Sequence, residues 1–271
     1  MSAAVFTVNV WFHRYTALAW VIGVGALAFL TGALYRSIGA ADYVELIEQF
    51  PEGLRAFMGL DPNAPIPSGE EFAVNLWMNT QFLSFGAALF AIYAVVHCGA
   101  AVAREREKGT LDLILSQPVA RSRFLLWRWL VFVVASAVLA VAAALTLMAG
   151  LATAAATANV LNLSLTLFQA WMVALAVAGY SLAFSCLFLS TAKAAAAAGL
   201  LTTAFYAIDI VARTVERVEW SGNISLFHFY DPQRILDTGE LSWVGLLVSG
   251  GVALGALAVA AVIFERRDIV T

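Results

Sequence analysis

Long apolar runs dominate this sequence, and each is long enough to cross a lipid bilayer as a helix. Hydrophobic residues make up 62% of the 271 residues and charged residues only 12%, whereas soluble domains carry about 25% charged residues. A spanning helix needs about 20 mostly apolar residues, and continuous runs exclude the alternating pattern of a β-barrel. The sequence therefore predicts an all-α membrane protein whose single transmembrane domain, 1–271, has six spans: 16–35, 72–102, 124–147, 163–189, 194–212 and 243–264.

Polar segments flank or separate the spans, and three of them predict additional helices. Segment 1–15 mixes aromatic and polar side chains, which is typical of a helix lying in the membrane interface; an extension of the first span fits the same residues equally well. Segment 36–71 has an apolar stripe at helical spacing that Pro51 ends, so it predicts short helices. Segment 213–242 places aromatic residues among charges, which indicates short helices that reach partly into the interface.

Basic residues are unevenly distributed between the two sides that six spans define. Ten of the fifteen lie on the side of the chain ends: Arg14, Arg104, Arg106, Lys108, Arg121, Arg123, Arg128, Lys193, Arg266 and Arg267. The others are Arg36, Arg55, Arg213, Arg217 and Arg234. Because cytoplasmic loops carry the excess of Lys and Arg, the sequence predicts that both termini face the cytoplasm.

The densest charge lies in Ala103–Arg128, between the second and third spans. Gly109 is a natural break in the preceding helix, and Thr110 is a good cap for a new one. The new helix, Leu111–Ser116, is about two turns long and ends before Pro118. A helix this short is marginal in water by itself, so it packs either on the lipid surface or on a partner protein.

The same segment resembles the signature of the ABC type-2 exporter permeases. Residues Glu105–Val119 read EREKGTLDLILSQPV, which is similar to the family pattern E-R-E-x-G-T-L-x-x-L-L-S-x-P-V. Arg121 and Arg123 then lead into the third span, as they do in that family. The resemblance covers most of the chain and includes segments 50–55, 225–232 and 264–268.

This resemblance implies that Gly109–Ser116 forms a coupling helix seated in a groove of an ATPase subunit. The residues that it assigns to ATPase coupling are Glu105, Arg106, Glu107, Gly109, Thr110, Leu111, Asp112, Leu113, Ile114, Leu115 and Ser116. It also implies an interfacial connecting helix at the amino terminus and an outer gate in 213–242. The transport pathway is expected at a dimer axis, lined by the second and fifth spans, and is expected to work by alternating access.

The implied complex lies in the inner cell membrane and contains two soluble ABC ATPase subunits and a second permease, either an identical chain or a paralogue. ATP and Mg are expected on the ATPase, because neither Lys108 nor Lys193 follows a glycine and this sequence has no G-x-x-x-x-G-K-[ST] loop. No catalytic residue, metal ligand or nucleic-acid partner is predicted in this chain, and the substrate-binding residues are unknown. Apolar spans with few polar groups favour an amphiphilic or hydrophobic cargo.

Two other functions compete with this interpretation, and a metal site is not supported. An intramembrane serine hydrolase would use Ser181 in Gly179–Ala183, one residue short of G-x-S-x-G, although small residues in a span usually serve helix packing. A membrane scaffold or sensor would explain the spans but gives the short helix no role. His13, His97 and His228 are scattered, and neither cysteine has a ligand at site-like spacing.

Asp209 is an ionisable residue near the outer end of the fifth span, where such residues are costly and often functional. The other interpretation is a structural ion pair with Arg213, four residues further along the same helix. The i, i+4 spacing favours that structural interpretation.

Glycines mark two places where close helix packing is predicted. Gly23, Gly25 and Gly32 lie along the first span, and Gly251 and Gly255 form a G-x-x-x-G pattern in the sixth. Small residues at such spacings let two helix backbones approach each other closely.

Overall fold

The computed structural model describes residues 2–37, 40–58, 60, 67, 69–111, 121–188 and 190–266. Every regular element in this part of the chain is helical, and no strand occurs in it. The α-helices are α1 (Ser2–Leu34), α2 (Ala40–Glu48), α3 (Glu52–Phe57), α4 (Glu70–Met78), α5 (Ser84–Gly99), α6 (Ala103–Glu107), α7 (Arg121–Thr153), α8 (Val160–Leu187), α9 (Thr191–Thr214), α10 (Pro232–Thr238) and α11 (Trp243–Arg266). A π-helical segment, Asn79–Leu83, joins α4 to α5, and Tyr35–Ser37 and Glu216–Ile224 are 3₁₀ helices.

Within the described residues, six helices are long and apolar enough to cross a membrane. They are Tyr15–Ser37, Glu70–Glu107, Arg121–Thr153, Val160–Leu187, Thr191–Thr214 and Trp243–Arg266. The predicted all-α membrane class is therefore confirmed. At the amino terminus, α1 runs from Ser2 to Leu34 as one helix. Segment 2–15 is thus helical and continuous with the first span, and its location in the membrane interface stays a prediction.

The second span is less regular than its sequence predicts. A continuous helix was expected over 72–102, but the π-helical segment Asn79–Leu83 interrupts it and α5 ends at Gly99. A π-helical turn inserts extra backbone into an α-helix and often occurs at functional sites. Hydropathy reports only the length of an apolar run, so it contains no signal for this insertion.

Helix α8 lies at the centre of the bundle and contacts α5, α7, α9 and α11. Its Ala170, Ala174 and Ala178 follow one another at helical spacing and are fully buried. Such small side chains allow neighbouring helices to come close. Helix α1 packs on α7, which places the first span at the periphery.

Two helix crossings depend on glycine. In the α1–α7 crossing, a Cβ at Gly32 would lie 2.5 Å from the carbonyl oxygen of Leu147, and one at Gly150 would overlap the carbonyl oxygen of Phe29. In the α8–α11 crossing, a Cβ at Gly179 would lie 2.8 Å from the carbonyl oxygen of Ala253. Close packing is thus confirmed for Gly32 and for the small residues around Ser181.

Gly25 also faces α7, because a Cβ there would lie 3.4 Å from Cγ2 of Thr146. The remaining predicted packing glycines behave differently. A Cβ at Gly23, Gly251 or Gly255 would meet no atom within 4 Å among the described residues. The prediction that the G-x-x-x-G pattern of α11 forms a packing face was therefore wrong for contacts inside this chain. The pattern identifies a small-residue stripe, but only the rotation of the helix decides which way the stripe faces.

Consecutive spans run in opposite directions, so the connecting segments gather at two ends of the bundle. One end holds residues 100–111, which we call the elbow, and the α8–α9 connection, 188–190; we call it the elbow end. The opposite end, called the loop end, holds α2, α3, Glu216–Ile224 and α10. The two ends carry most of the polar contacts described below.

Candidate functional site

The elbow begins where α5 ends at Gly99, and the chain turns through residues 100–102 before α6 starts. The first backbone N–H groups of a helix have no partner within that helix. Here the hydroxyl oxygen of Ser185, on α8, accepts hydrogen bonds from the backbone nitrogens of Val102 (2.9 Å) and Ala103 (3.1 Å). The start of α6 is thus fixed to the central helix.

Gly109 ends α6 in a left-handed conformation with a φ of 65°. Its backbone N–H donates to the carbonyl of Arg106 (3.0 Å), and that of Thr110 donates to the carbonyl of Glu105 (3.0 Å). Glycine is favoured here because other residues are strained at positive φ. The helix break predicted at Gly109 is therefore present.

Glu105 points inward from the elbow to the third span. One carboxylate oxygen lies 2.6 Å from Nη2 of Arg128, and the other accepts a hydrogen bond from the Thr110 hydroxyl (2.6 Å). Arg128 is only 5% exposed, and its guanidinium lies 5.3 Å from the centre of the Phe124 ring. A buried charge is costly unless it is paired, so Glu105 is the counter-ion that lets Arg128 be buried.

Glu107 contacts the fifth span. Its two carboxylate oxygens accept hydrogen bonds from the backbone nitrogen (2.8 Å) and the hydroxyl (2.6 Å) of Thr191, the first residue of α9. The preceding residue, Ser190, makes no capping hydrogen bond with its own side chain. A carboxylate is favourable at a helix amino terminus, where unpaired N–H groups and the helix dipole attract negative charge. Glu107 therefore caps α9 from another part of the chain.

These contacts can be compared with the residues that the sequence assigns to coupling. Glu105, Glu107 and Thr110 are hydrogen-bonded within the chain, and Arg106 is half-buried. Gly109 is exposed, whereas Leu111 is 3% exposed. Asp112, Leu113, Ile114, Leu115 and Ser116 lie outside the described residues, so the predicted coupling helix stays a prediction.

Three residues that position the elbow were missed by sequence reasoning: Arg128, Ser185 and Thr191. Arg128 was counted only as a basic residue on the chain-end side, although its place one turn inside an apolar run called for a counter-ion. Ser185 and Thr191 have no local signal, because small hydroxyl residues are common in spans. Their roles depend on which helices become neighbours.

At the loop end, Arg213 joins α9 to the segment that follows it. Its Nε lies 3.0 Å from both carboxylate oxygens of Asp209, and its Nη2 donates to the backbone carbonyls of His228 (3.2 Å) and Tyr230 (3.0 Å). The structural ion pair that the spacing favours is therefore present. Arg213 also adds a second connection, because the guanidinium is a planar fork with several donors.

The loop end is also fixed to the second span at its π-helical segment. The Tyr230 hydroxyl donates to the carbonyl of Leu83 (2.8 Å), and the Asn79 amide donates to the carbonyl of Met58 (2.7 Å) and to Oε1 of Gln233 (3.0 Å). Burial raises the pKa of Tyr230, so its hydroxyl keeps the proton that it donates. The irregular backbone thus supplies partners for the loop end.

The central helix holds the same loop end from the other side. The Gln169 amide donates to the carbonyl of Phe229 (2.5 Å), and the Asn162 amide donates to the carbonyl of Leu236 (2.7 Å). Gln169 is 1% exposed, and a buried amide is costly unless it is hydrogen-bonded. Hydrogen bonds from three spans therefore hold segment 227–238 in place.

Two recesses lie at the loop end. A polar cavity of about 30 Å³ is bounded by Asn79, Asp209, Arg213 and Tyr230, and this volume suits a water molecule. An open recess of about 520 Å³ is lined by His228, Arg234, Glu240 and other residues. The cavity is too small to enclose an amphiphilic molecule, and the recess is open and lined in part by charged side chains.

The residues behind the rival interpretations have structural roles. The Ser181 hydroxyl donates to the carbonyl of Val177 in its own helix (2.7 Å) and is fully buried. His97 is 8% exposed and packs against Tyr93 and Phe132. Within the described part of the chain, no group of three His, Cys, Asp or Glu residues could hold a metal ion. The side chain of His13 lies outside the described residues.

Comparison with known proteins identifies the family. A family model described as "ABC-2 family transporter protein" matches residues 17–269, nearly the whole chain. No curated protein matches the chain. The match agrees with the six spans and with the Glu105–Val119 motif. The chain therefore belongs to the ABC-2 family of transporter proteins and is a membrane-embedded, multi-pass permease component of an ABC transporter.

Proposed function

We propose that this chain is the permease subunit of an ATP-driven exporter that works by alternating access. The elbow is the observation that carries the proposal. Hydrogen bonds join it to α7 through Glu105, to α8 through Ser185 and to α9 through Glu107. A force applied to the predicted coupling helix, 109–116, which overlaps the end of the elbow, would therefore reach three spans, as coupling to a separate motor requires.

The orientation follows from the distribution of charge. The elbow end faces the cytoplasm together with both termini, because the basic residues are concentrated on that side. In this proposal the permease lies in the inner cell membrane. The loop end then faces outward. Hydrogen bonds from three spans hold segment 227–238, which supports a role for this segment as an outer gate.

The working complex contains two soluble ABC ATPase subunits, which bind ATP and Mg, and a second permease. A homodimer is the simplest arrangement because most oligomers are symmetric, and a paralogous partner is the alternative. The coupling residues are those of 105–116 assigned by the resemblance. The cargo is an amphiphile or hydrophobic molecule, and its path lies at the dimer axis beside the second and fifth spans.

Purification from membranes tests whether a motor binds. We expect the tagged chain to bring down a soluble ABC ATPase, and the complex in nanodiscs to hydrolyse ATP faster than the ATPase alone. Replacing Leu113 by Pro should remove this stimulation while the chain still inserts into membranes, because proline breaks a helix interior.

The matched control is Leu113→Ala, which shortens the side chain but preserves helix propensity. It should keep more of the stimulation than Leu113→Pro. A scaffold or sensor would bring down no ATPase. Equal stimulation by the wild type and Leu113→Pro would remove the coupling assignment.

A further inference from the structure

Resting on the proposed function, we infer that Glu107 is a positioning residue that makes the fifth span follow the movement of the elbow. The span in question is α9, and the contact is the pair of hydrogen bonds from Thr191 to the Glu107 carboxylate. In this view the elbow drives α9 directly, whereas the central helix α8 serves as the fixed frame.

The contact suits this role because it holds both a side chain and the backbone. Hydrogen bonds to a carboxylate are stronger than those between neutral groups, and two of them fix the direction of the helix as well as its distance. The short connection 188–190 holds the first turn of α9 to α8, and Glu107 holds the same turn to the elbow. Glu107 thus links the elbow to the point where α9 begins.

Differences in burial show which span is less embedded in the core of this chain. In the most apolar window of α9, 22% of the residues are buried inside the chain, compared with 56% for α8. Helix α8 packs against four other spans, so its displacement would disturb most of the core. Helix α9 has a smaller packed surface within this chain, so its displacement would disturb less of this chain's core.

The far end of α9 gives such a movement a consequence. About 27 Å of helix, at 1.5 Å per residue, separates Thr191 from Asp209. Asp209 orients Arg213, and Arg213 holds the carbonyls of His228 and Tyr230 at the loop end. One rigid helix therefore has the elbow at its first turn and the loop segment at its last.

Glu105 is less suited to this role than Glu107. Its partner Arg128 is buried, so its removal would leave an unpaired charge and disturb the fold. Glu107 is exposed, and its replacement leaves no buried charge unpaired. Its effect on movement can therefore be measured in a folded protein.

The experiment measures movement at two spans in the complex with the co-purified ATPase. Cys98 and Cys186 are replaced by Ala, and an environment-sensitive fluorophore is attached at Leu200→Cys on α9 or at Val138→Cys on α7. These positions are 73% and 54% exposed. The fluorescence change on trapping with ATP and vanadate is recorded with and without Glu107→Ala.

We expect Glu107→Ala to reduce the response at position 200 far more than the response at position 138. Thr191→Val keeps the backbone donor but removes the hydroxyl, so it should reduce the response at position 200 only in part. Asn159→Ala is the matched control, since Asn159 caps the start of α8 at the other end of the bundle. It removes a helix cap and should leave both responses unchanged.

The outcomes separate this inference from the proposed function. A wild-type complex that responds at neither position would contradict the proposed coupling to an ATPase. A wild-type response that Glu107→Ala preserves at position 200 would overturn the role of Glu107. Loss at both positions would also overturn it, because Glu107 would then support the whole elbow and not α9 in particular. Glu107→Ala and Asn159→Ala each remove a helix cap. If their thermal midpoints are equal and only Glu107→Ala loses the response at position 200, the lost response is not caused by the loss of a cap.

Discussion

At the scale of single residues, the role of a polar side chain in this protein depends on the group that it contacts. Glu105 and Glu107 are two positions apart, yet one neutralises a buried arginine and the other caps a distant helix. Neither side chain is simply solvated charge at a membrane surface. The family resemblance implies that both acids lie near the ATPase. Their hydrogen bonds within the chain give each a second role, in pairing Arg128 and in capping α9.

The ion pair between Glu105 and Arg128 gives a first prediction. Glu105→Gln should destabilise the protein by about 3 kcal/mol, because loss of one partner leaves a buried charge uncompensated. The free energy of unfolding in mixed detergent micelles measures the effect. Glu240→Gln is the control, since its pair with Arg234 is 66% and 65% exposed and such pairs contribute about 0–1 kcal/mol. Equal effects of the two variants would contradict the assigned role of Glu105.

At the scale of helices, close crossings decide the packing of the spans. Gly32 and Gly150 bring the backbones of α1 and α7 together, and Gly179 does the same for α8 and α11. Helix association in a membrane depends on such contacts, because lipid provides no hydrophobic driving force between helices. Gly251 and Gly255 of α11 face away from the chain, so glycine alone does not mark a contact.

The α1–α7 crossing gives a second prediction. Gly150→Ala should destabilise the protein by about 2 kcal/mol, because the added methyl group overlaps the carbonyl of Phe29 and overpacking has a cost of this size. The same substitution at Gly251 meets open space and should be neutral or slightly stabilising, since alanine is the better helix former. Mixed-micelle unfolding compares the two. A larger loss for Gly251→Ala would mean that the crossing is wrongly located.

At the scale of the whole molecule, polar networks occupy both ends of an apolar bundle. The elbow end is held by Glu105, Ser185 and Glu107, and the loop end by Arg213, Tyr230 and Gln169. Between them, the spans pack mainly through buried alanines and leucines, with a few interhelical hydrogen bonds such as that between Tyr180 and Thr202. In the function that we propose, force enters at the elbow end and a gate opens at the loop end.

The loop end gives a third prediction. Arg213→Gln should speed the hydrogen exchange of residues 227–231, because the guanidinium no longer holds the carbonyls of this segment. Mass spectrometry of peptides from the detergent-solubilised protein measures the rate. Arg217→Gln is the control, as Arg217 is exposed in the neighbouring 3₁₀ helix. Unchanged exchange in Arg213→Gln would show that the other spans alone hold the segment.

The sequence alone determined the class of the protein, its six spans and the break at Gly109. These features are local: hydropathy reads the length of an apolar run, and a positive φ favours glycine. The Asp209–Arg213 pair was also predictable, because four residues along a helix fix its geometry.

Only the tertiary structure decided the partners of Glu105 and Glu107, the carbonyl groups that Arg213 contacts, the π-helical insertion in the second span and the faces of the glycines. Thr191 follows Glu107 by 84 residues, and such a contact depends on which helices become neighbours and how each is rotated. Periodicity and composition carry no information about that choice. The elbow was visible as a motif, but its attachment to three spans required the folded bundle.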